Sequence, residues 1–377
     1  MGMKKKKSVL FINLAAFSLT GGIEKFNKCF LKALWKLSQE NDWKVASYSL
    51  YDSSSEEKYF PEKKYKGFNQ KKIAFVLQSV LQARKYDQVI FGHINLAIAG
   101  LLIKFIFPSK KLILITHGIE VWKPLKGIQK LFINKVDEIL TASNFTKNKL
   151  CTIQKINPDK ISLFYNTIDP YFTIPKSFDK PVSLQKRYQV NENDFVLFTL
   201  TRLSGTEKYK GYDIVVNCLP ELLKTIPSIK YIIGGKYDKV EKQRMDDLIK
   251  KLHLENIVQI AGFLKDEEIC DHYQLANIFI MPSKGEGFGI VFIEAAICGS
   301  QIIAGNLDGS VDALQNGKLG ILVNPSSEKE ISEAILKVYQ TKHFWKKENK
   351  QTLQSQTLDY FGFAVFSKNL SEVLTEN

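Results

Sequence analysis

Short apolar runs alternate with helical patterns along almost the whole chain, and this alternation constrains the fold more than any other feature of the sequence. Runs such as residues 9–14, 88–91 and 278–281 have the length and composition of buried strands. Helical patterns lie between them, and strands that alternate with helices usually pair in parallel. The sequence therefore predicts an α/β protein, and its 377 residues are enough for two domains that each bury a core.

The stretch from residue 277 to residue 299 predicts a binding loop between a strand and a helix. Pro282 ends one apolar run, a glycine-rich loop containing Glu286 follows, and a second apolar run containing Glu294 ends at Gly299. Glycines let the backbone approach a ligand, and the N–H groups that open a helix favour an anion, most often a phosphate. At the open end of a parallel sheet, this geometry places one carboxylate near the reactive end of a ligand and the other near its ribose.

The two glutamates and their neighbours resemble the signature of a known family. Seven residues separate Glu286 from Glu294, and Pro282-Ser283, Gly287-Phe288-Gly289 and Glu294-Ala295 surround them. This pattern is similar to the Glu-x7-Glu motif of retaining GT-B glycosyltransferases of family 4. The resemblance implies that Glu286 is a catalytic residue facing the transferred sugar. It also implies that the donor is bound by Gly287, Phe288, Gly289 and Glu294, the last of these on the ribose.

The resemblance covers nearly the whole chain and implies two Rossmann-like domains that face a central cleft. On this basis we predict an acceptor-side domain at residues 1–172, a linker at 173–190 and a nucleotide-sugar-binding domain at 191–357. Residues 358–377 would form a C-terminal helix that crosses back and packs on the first domain.

A loop with several cations follows the first predicted strand of the second half. Such a strand end suits a diphosphate, for which Arg offers two parallel donors and Lys a point charge. The resemblance assigns these roles to Arg202 and Lys210. Because the loop is longer than the family's common spacing, Lys208 is a rival for the lysine role. We favour Lys210, since it directly precedes Gly211-Tyr-Asp213 and matches the family's Lys-Gly-x-Asp order.

Two segments of the first half supply further candidates. Gly21 and Gly22 follow the first strand and resemble the family's first-domain glycine loop, which approaches the donor diphosphate and the acceptor. His117 lies at the end of a later strand, and the resemblance implies that it contacts the donor sugar, so we place it with Glu286 as catalytic. By position alone, a lone histidine is as often structural. Glu120 and Trp122 are acceptor-site candidates by proximity only.

The sequence predicts neither a metal nor a cofactor. No Asp-x-Asp occurs, the five histidines lack metal-ligand spacing, and the first glycine loop is no G-x-G-x-x-G dinucleotide fingerprint. Cationic side chains and helix N-termini would instead stabilise a departing diphosphate. Residues 306–312 depart from the family's Gly-Gly-x-Pro-Glu turn, which leaves the donor-sugar contacts of this loop open.

The net charge of +14 is confined to the first half of the chain. Residues 1–172 hold 28 Lys and Arg against 13 Asp and Glu, whereas the remainder holds 25 against 26. This asymmetry indicates either an anionic partner surface or a lysine-rich composition that serves solubility. We expect an anionic membrane surface and no nucleic acid, and we assign the contact to basic clusters at residues 4–7, 63–66 and 71–72. No apolar run is long enough to span a bilayer.

The sequence thus predicts a metal-independent, retaining hexosyltransferase. It would move a sugar from a nucleotide diphosphate donor to a glycan or lipid-linked acceptor in cell-envelope polysaccharide or lipopolysaccharide biosynthesis. We expect it in the cytoplasm, peripheral on the inner face of the cell membrane. One alternative is a sugar-phosphate-using synthase or phosphorylase on the same fold. The other is a non-catalytic carbohydrate-binding protein, against which the presence of Glu286, Glu294, Arg202 and Lys210 together argues.

Overall fold

The computed structural model describes residues 6–341 and 346–375. Lys4 and Lys5 of the predicted basic cluster and the last two residues of the predicted C-terminal helix lie outside these ranges. The described residues divide into two compact units, one drawn from residues 1–170 and 361–377 and the other from residues 171–360. Among the described helices, none combines the length and the apolarity needed to cross a bilayer.

The first unit is built on a parallel sheet. Its strands are β1 (Ser8–Asn13), β2 (Lys44–Ser49), β3 (Tyr65–Gly67), β4 (Gln88–Phe91), β5 (Lys111–Thr116), β6 (Glu138–Thr141) and β7 (Ile161–Leu163). They lie in the order β3-β2-β1-β4-β5-β6-β7, and every neighbouring pair is parallel. Its helices are α1 (Gly22–Asn41), α2 (Lys72–Ala83), α3 (Ala97–Ile106), α4 (Gly127–Lys135), α5 (Asn144–Thr152) and α14 (Phe363–Thr375).

Alternating side chains of β1 enter two cores, one on each face of this sheet. Leu10 and Ile12 join a core with α2, α3 and α4, whereas Val9 and Phe11 join a second core with α1 and α14. In α14, Phe366 and Leu370 are buried in that second core. The predicted return of the C-terminal helix to the first domain is therefore confirmed, and apolar burial holds the helix in place.

The second unit contains a parallel sheet of its own. Its strands are β8 (Phe195–Leu200), β9 (Ile229–Gly234), β10 (Val258–Gly262), β11 (Ile278–Met281), β12 (Gln301–Gly305) and β13 (Ile321–Val323), in the order β10-β9-β8-β11-β12-β13. Its helices are α6 (Val182–Tyr188), α7 (Tyr212–Leu222), α8 (Lys239–Lys251), α9 (Asp266–Leu275), α10 (Ile290–Ile297), α11 (Ser310–Ala313), α12 (Glu328–Gln340) and α13 (Lys347–Phe361). The predicted α/β architecture with two Rossmann-like domains is confirmed.

Each sheet has one point at which the strand order reverses. In the first unit Val9 of β1 pairs with both Val45 and Gln88, so β1 lies between β2 and β4. In the second unit β8 lies between β9 and β11 in the same way. Open α/β sheets bind ligands outside the carboxyl ends of their strands at such a point. The loops after β1, β4, β8 and β11 are therefore where a site is expected.

The domain limits of the structure differ from those expected from the sequence. Residues 173–190, expected as a linker, belong to the second unit and contain α6. That helix forms because Leu184 and Tyr188 are buried, and the Tyr188 hydroxyl lies 2.8 Å from Nε2 of His272. Proline in this segment indicates turns rather than a domain boundary. The return to the first unit begins at Phe361 rather than at residue 358.

Candidate active site

Lys210 and Glu286 form an ion pair at the carboxyl edge of the second sheet. Lys210 ends the loop that follows β8, and Glu286 lies in the loop that follows β11. Only 16% of the lysine side chain and 13% of the glutamate side chain are exposed. Burial disfavours the charge of Lys210, but the Glu286 carboxylate outweighs burial and raises the pKa of the lysine. The Lys210 ammonium therefore keeps its proton near neutral pH, and the two side chains hold each other in place.

Close packing of the two loops explains why this pair forms. Gly211 has a φ of +78°, and a Cβ at this position would lie 2.4 Å from the carbonyl oxygen of Pro282. The Lys284 N–H donates to the Tyr209 carbonyl at 2.9 Å, which ties the loops together a second time. Only a glycine in the left-handed region permits this approach. The Lys-Gly-x-Asp order thus places Lys210 against the glutamate loop.

Asp308 fixes the backbone of Glu286 from a third loop, the one that follows β12. The buried Asp308 carboxylate accepts the Glu286 N–H at 2.7 Å and the Ser310 N–H at 2.9 Å. The Gly309 N–H donates to the Glu286 carbonyl at 2.8 Å. Burial raises the pKa of Asp308 to about 6, although both hydrogen bonds oppose that rise. The sequence left this loop open, and the structure shows that it clamps Glu286.

Glu294 lies on α10, two turns beyond the loop, and is almost entirely buried. Its side chain is 1% exposed and accepts a hydrogen bond from the Tyr273 hydroxyl at 3.2 Å. Burial raises the pKa of Tyr273 well above its ordinary value, so this hydroxyl keeps its proton and remains a donor. A buried carboxylate held in this way is suited to accept hydrogen bonds from a ligand hydroxyl group.

The loop between the glutamates contains the three other predicted donor-binding residues. Phe288 is buried at 2% exposure, so its backbone rather than its ring can face a ligand. Gly289 precedes the first residue of α10, and its N–H lies close to the start of that helix. A Cβ on Gly309 would lie 2.1 Å from the carbonyl oxygen of Gly287, so these two loops also touch. The loop therefore offers backbone N–H groups and the N-terminus of α10.

Arg202 and the two rival lysines occupy different positions around this edge. Arg202 follows β8, is 57% exposed and pairs with Glu207 at 3.1 Å. Lys208 is 51% exposed, and its ammonium lies 4.0 Å from the buried Glu241 carboxylate. That carboxylate is already engaged by Arg244 and by the Tyr212 hydroxyl. Of the two lysines, Lys210 is the one beside Glu286.

In the first unit, Gly21 and Gly22 mark the start of α1. Gly21 has extended backbone, and α1 begins at Gly22. A Cβ on Gly22 would meet no described atom within 4 Å, so the backbone faces open space there. A Cβ on Gly21 would lie 2.6 Å from the Glu24 carboxylate. The helix N-terminus after β1 is thus accessible to a ligand.

Asp52, which the sequence analysis did not single out, holds the loop that leads to these glycines. Its carboxylate accepts N–H groups of Ala16 and Ser18, each at 2.7 Å, and the Tyr65 hydroxyl at 2.5 Å. Burial alone would raise the pKa of Asp52, but its hydrogen bonds outweigh burial and hold the pKa below its ordinary value. The hydrogen bonds of Asp52 therefore brace the loop after β1, because they tie it to the segment after β2. The available signal was an aspartate three residues after β2, the strand that pairs with β1.

His117 follows β5, and its ring is fixed on three sides. Nε2 lies 2.8 Å from the Gly92 carbonyl oxygen, so Nε2 carries a proton and donates. The Phe26 ring packs edge-on at a centroid distance of 5.1 Å, and the His93 ring stacks at 6.3 Å. In the neutral ring Nδ1 is consequently the acceptor. Burial lowers the pKa of His93 to about 4, so His93 is neutral at physiological pH.

Glu120 and Trp122 both make contacts inside the first unit. The Glu120 carboxylate accepts the backbone N–H of His117 at 2.5 Å. The Trp122 indole N–H donates to the Thr146 hydroxyl at 3.1 Å, and its ring packs edge-on against Phe145. Glu120 therefore positions the backbone that carries His117, whereas Trp122 packs beside α5. For both residues, a role in the acceptor site stays a prediction.

Two α/β units with this set of loops define a protein of the GT-B glycosyltransferase class. The family model described as "Glycosyltransferase Family 4" matches residues 21–172, and "Glycosyl transferases group 1" matches residues 183–355. Together they span most of the chain. The chain belongs to the GT-B glycosyltransferases of family 4.

Curated relatives agree with this family, and solved structures agree with its fold. A GDP-mannose-dependent alpha-(1-6)-phosphatidylinositol monomannoside mannosyltransferase of Mycobacterium tuberculosis is 27% identical over 58% of this chain and 58% of its own length. The chain spans little more than half the length of several curated relatives that it matches. HepE of Anabaena, solved with UDP and glucose, is 19% identical with a TM-score of 0.77, covering 98% of this chain and 99% of that chain. A lipopolysaccharide outer core galactosyltransferase is 16% identical with a TM-score of 0.69, covering 97% and 98%.

Proposed function

We propose that this glycosyltransferase moves a hexose-type sugar from a nucleotide diphosphate sugar to a glycan or lipid-linked acceptor, with retention of configuration. The observation that carries the proposal is the partly buried ion pair of Lys210 and Glu286 next to the N-terminus of α10. Lys210 would bind the donor diphosphate, and Glu286 would face the sugar that the diphosphate leaves. Retention of configuration rests on the family resemblance.

Cations of the protein would stabilise the departing diphosphate without a metal ion. Arg202 is exposed near the start of the loop after β8. Lys210, at the end of the same loop, is largely shielded from solvent. In residues 6–341 and 346–375, no three His, Cys, Asp or Glu side chains are grouped as metal ligands. Positive side chains and the N–H groups that open α10 can balance the charge that develops on the leaving group.

The proposed setting is cell-envelope polysaccharide or lipopolysaccharide biosynthesis at the inner face of the cell membrane. Two observations support it. Similar proteins include a phosphatidylinositol monomannoside mannosyltransferase and a lipopolysaccharide outer core galactosyltransferase. The first half of the chain also carries 28 Lys and Arg against 13 Asp and Glu, which favours an anionic surface.

A donor screen tests this proposal. The purified protein is incubated with UDP-, GDP-, ADP- and dTDP-sugars, with and without chelator, and two quantities are followed: the thermal midpoint and the release of nucleoside diphosphate. One donor should raise the midpoint by mass action and should be turned over equally well in chelator. Glu286→Gln should abolish release while binding persists.

Other outcomes of the screen identify the alternatives. Release of a sugar phosphate from a glycan and orthophosphate, with no nucleotide needed, would identify a phosphorylase. Binding of a glycan with no turnover of any donor would identify a carbohydrate-binding protein. Activity lost in chelator and restored by manganese would contradict the metal-independent chemistry.

A further inference from the structure

Three neighbouring helices of the first unit expose large apolar side chains on their outer faces. α2, α3 and α4 cover the same face of the seven-stranded sheet, because Phe75, Ile103 and Phe132 enter one core. α3 packs against both of the others. We call the exposed set the apolar face, and it consists of Ile73, Leu77, Leu81, Ile98, Leu102, Phe105, Ile106, Ile128 and Leu131.

The apolar face follows the helical repeat. In α2 its members recur every four residues, and in α3 they recur at spacings of four and three. In α3 the buried residues Gly100 and Ile103 lie on the opposite side, so this helix is apolar on both its inner and its outer faces. Phe105 is 86% exposed and Ile73 is 79% exposed. Exposed apolar side chains on adjacent helices are typical of an interaction site, whereas singly scattered ones are ordinary surface.

The charges around the apolar face identify what it fits. None of the three helices contains an Asp or a Glu, and residues 71–135 hold eleven Lys and Arg against two acidic residues. Exposed lysines stand at the ends of the helices, with Lys71 and Lys72 at the start of α2 and Lys126 and Lys135 at the two ends of α4. An apolar surface with a cationic rim matches the boundary between anionic headgroups and acyl chains. Two copies of this surface would bring like charges together, which disfavours self-association.

We propose that the apolar face docks on a bilayer that contains anionic lipid. Phe105 and Leu131 enter the boundary between headgroups and acyl chains, and the rim lysines lie on the headgroups. The inference deepens the proposed function, since it names the surface that would bring the enzyme to a lipid-linked acceptor. It differs from docking by basic clusters alone, because apolar insertion is not screened by salt.

Vesicle flotation of the full chain tests this docking surface. Phosphatidylcholine vesicles are compared with vesicles that also contain phosphatidylglycerol, each at low and high salt. The protein should float with the anionic vesicles, and part of the binding should persist at high salt. The double variant Phe105→Ser and Leu131→Ser should weaken binding roughly tenfold or more at both salt concentrations, because two apolar side chains no longer leave water.

Two control variants separate the contributions. Val240→Ser removes an apolar side chain that is 80% exposed on α8 of the second unit, and it should bind vesicles as the wild type does. Lys71→Ala with Lys72→Ala should weaken binding at low salt and leave the high-salt component unchanged. Ile73→Ser on α2 provides a second test of the face should the double variant fold poorly, as judged by its thermal midpoint.

Two results would overturn the docking surface. One is wild-type flotation of both the double variant and Ile73→Ser. The other is a wild type that sediments as a dimer, variants of the apolar face that sediment as monomers, and equal vesicle binding by all of them. The apolar face would then join two copies of the chain. Flotation needs neither donor nor turnover. A protein that floats but releases no nucleoside diphosphate would contradict the proposed function alone.

Discussion

Lys210 and Glu286 lie 76 positions apart in the chain, yet their side chains form an ion pair that is mostly shielded from solvent. One residue comes from the loop after β8 and the other from the loop after β11. The strand order of the second sheet reverses between these two strands. The residue proposed for the diphosphate therefore holds the residue proposed for the sugar. A substitution of one of these residues should therefore affect the position of the other.

The ion pair predicts that the two rival lysines behave differently. Lys210→Ala should weaken binding of a nucleoside diphosphate by about 2 kcal/mol or more, roughly 30-fold, because a shielded charge loses its partner. Lys208→Ala is the matched control and should change the affinity little, since its ammonium is half exposed and 4.0 Å from Glu241. Titration calorimetry with the nucleoside diphosphate measures both. Equal losses in the two variants would contradict the assignment.

The two glutamates should affect different kinetic constants. Glu294 is buried on α10 and would bind the ribose equally in the ground and transition states, so Glu294→Ala should raise the donor KM more than it lowers kcat. Glu286→Ala should lower kcat, because its interaction strengthens as charge develops at the sugar. Initial rates over a range of donor concentrations distinguish the two effects. Near-normal turnover of Glu286→Ala would refute the role given to that residue.

Asp308 should make the stability depend on pH in an unusual direction. Burial raises its pKa from 3.8 to about 6 in the folded protein, so the native state holds this proton more tightly than the unfolded chain does. The contribution of Asp308 to the free energy of unfolding is therefore full below pH about 4 and is lost as the pH rises through about 6. The change amounts to as much as about 3 kcal/mol.

Urea unfolding of the wild type and Asp308→Asn at several pH values between 4 and 7 checks this. The difference in unfolding free energy between the two proteins should shift against the wild type as the pH rises. A difference that stays constant over this range would show that Asp308 does not titrate there.

Asp52 should act through the loop that it braces. Asp52→Ala leaves the N–H groups of Ala16 and Ser18 without their acceptor and should lower the free energy of unfolding by about 2–3 kcal/mol. Asp159→Ala, at an exposed aspartate of the same unit, is the control and should cost little. Because the pKa of Asp52 is lowered on folding, its contribution is present at neutral pH and is lost in acid. Equal stabilities of the two variants would contradict the brace.

The fold could be predicted from the sequence because parallel strands and amphipathic helices have recognisable local patterns of apolar residues. The apolar runs of β8 and β11 and the glycine loop before α10 could be read directly. The residues that hold the site loops in place could not be predicted in this way. Asp308 and Asp52 act through partners 22 and 34 to 36 positions away, and only the fold brings those partners together. Residues 173–190 were misjudged because a short helix fixed by two buried side chains has too few residues to show a clear repeat.

The configuration of the product tests the central claim most directly. The donor identified in the screen is turned over with its acceptor, and the new glycosidic linkage is examined by NMR for the configuration at the anomeric carbon. We predict that the product keeps the anomeric configuration of the donor, with Glu286 facing the sugar as the diphosphate leaves. A product of inverted configuration would contradict the retaining mechanism and the role of Glu286 within it.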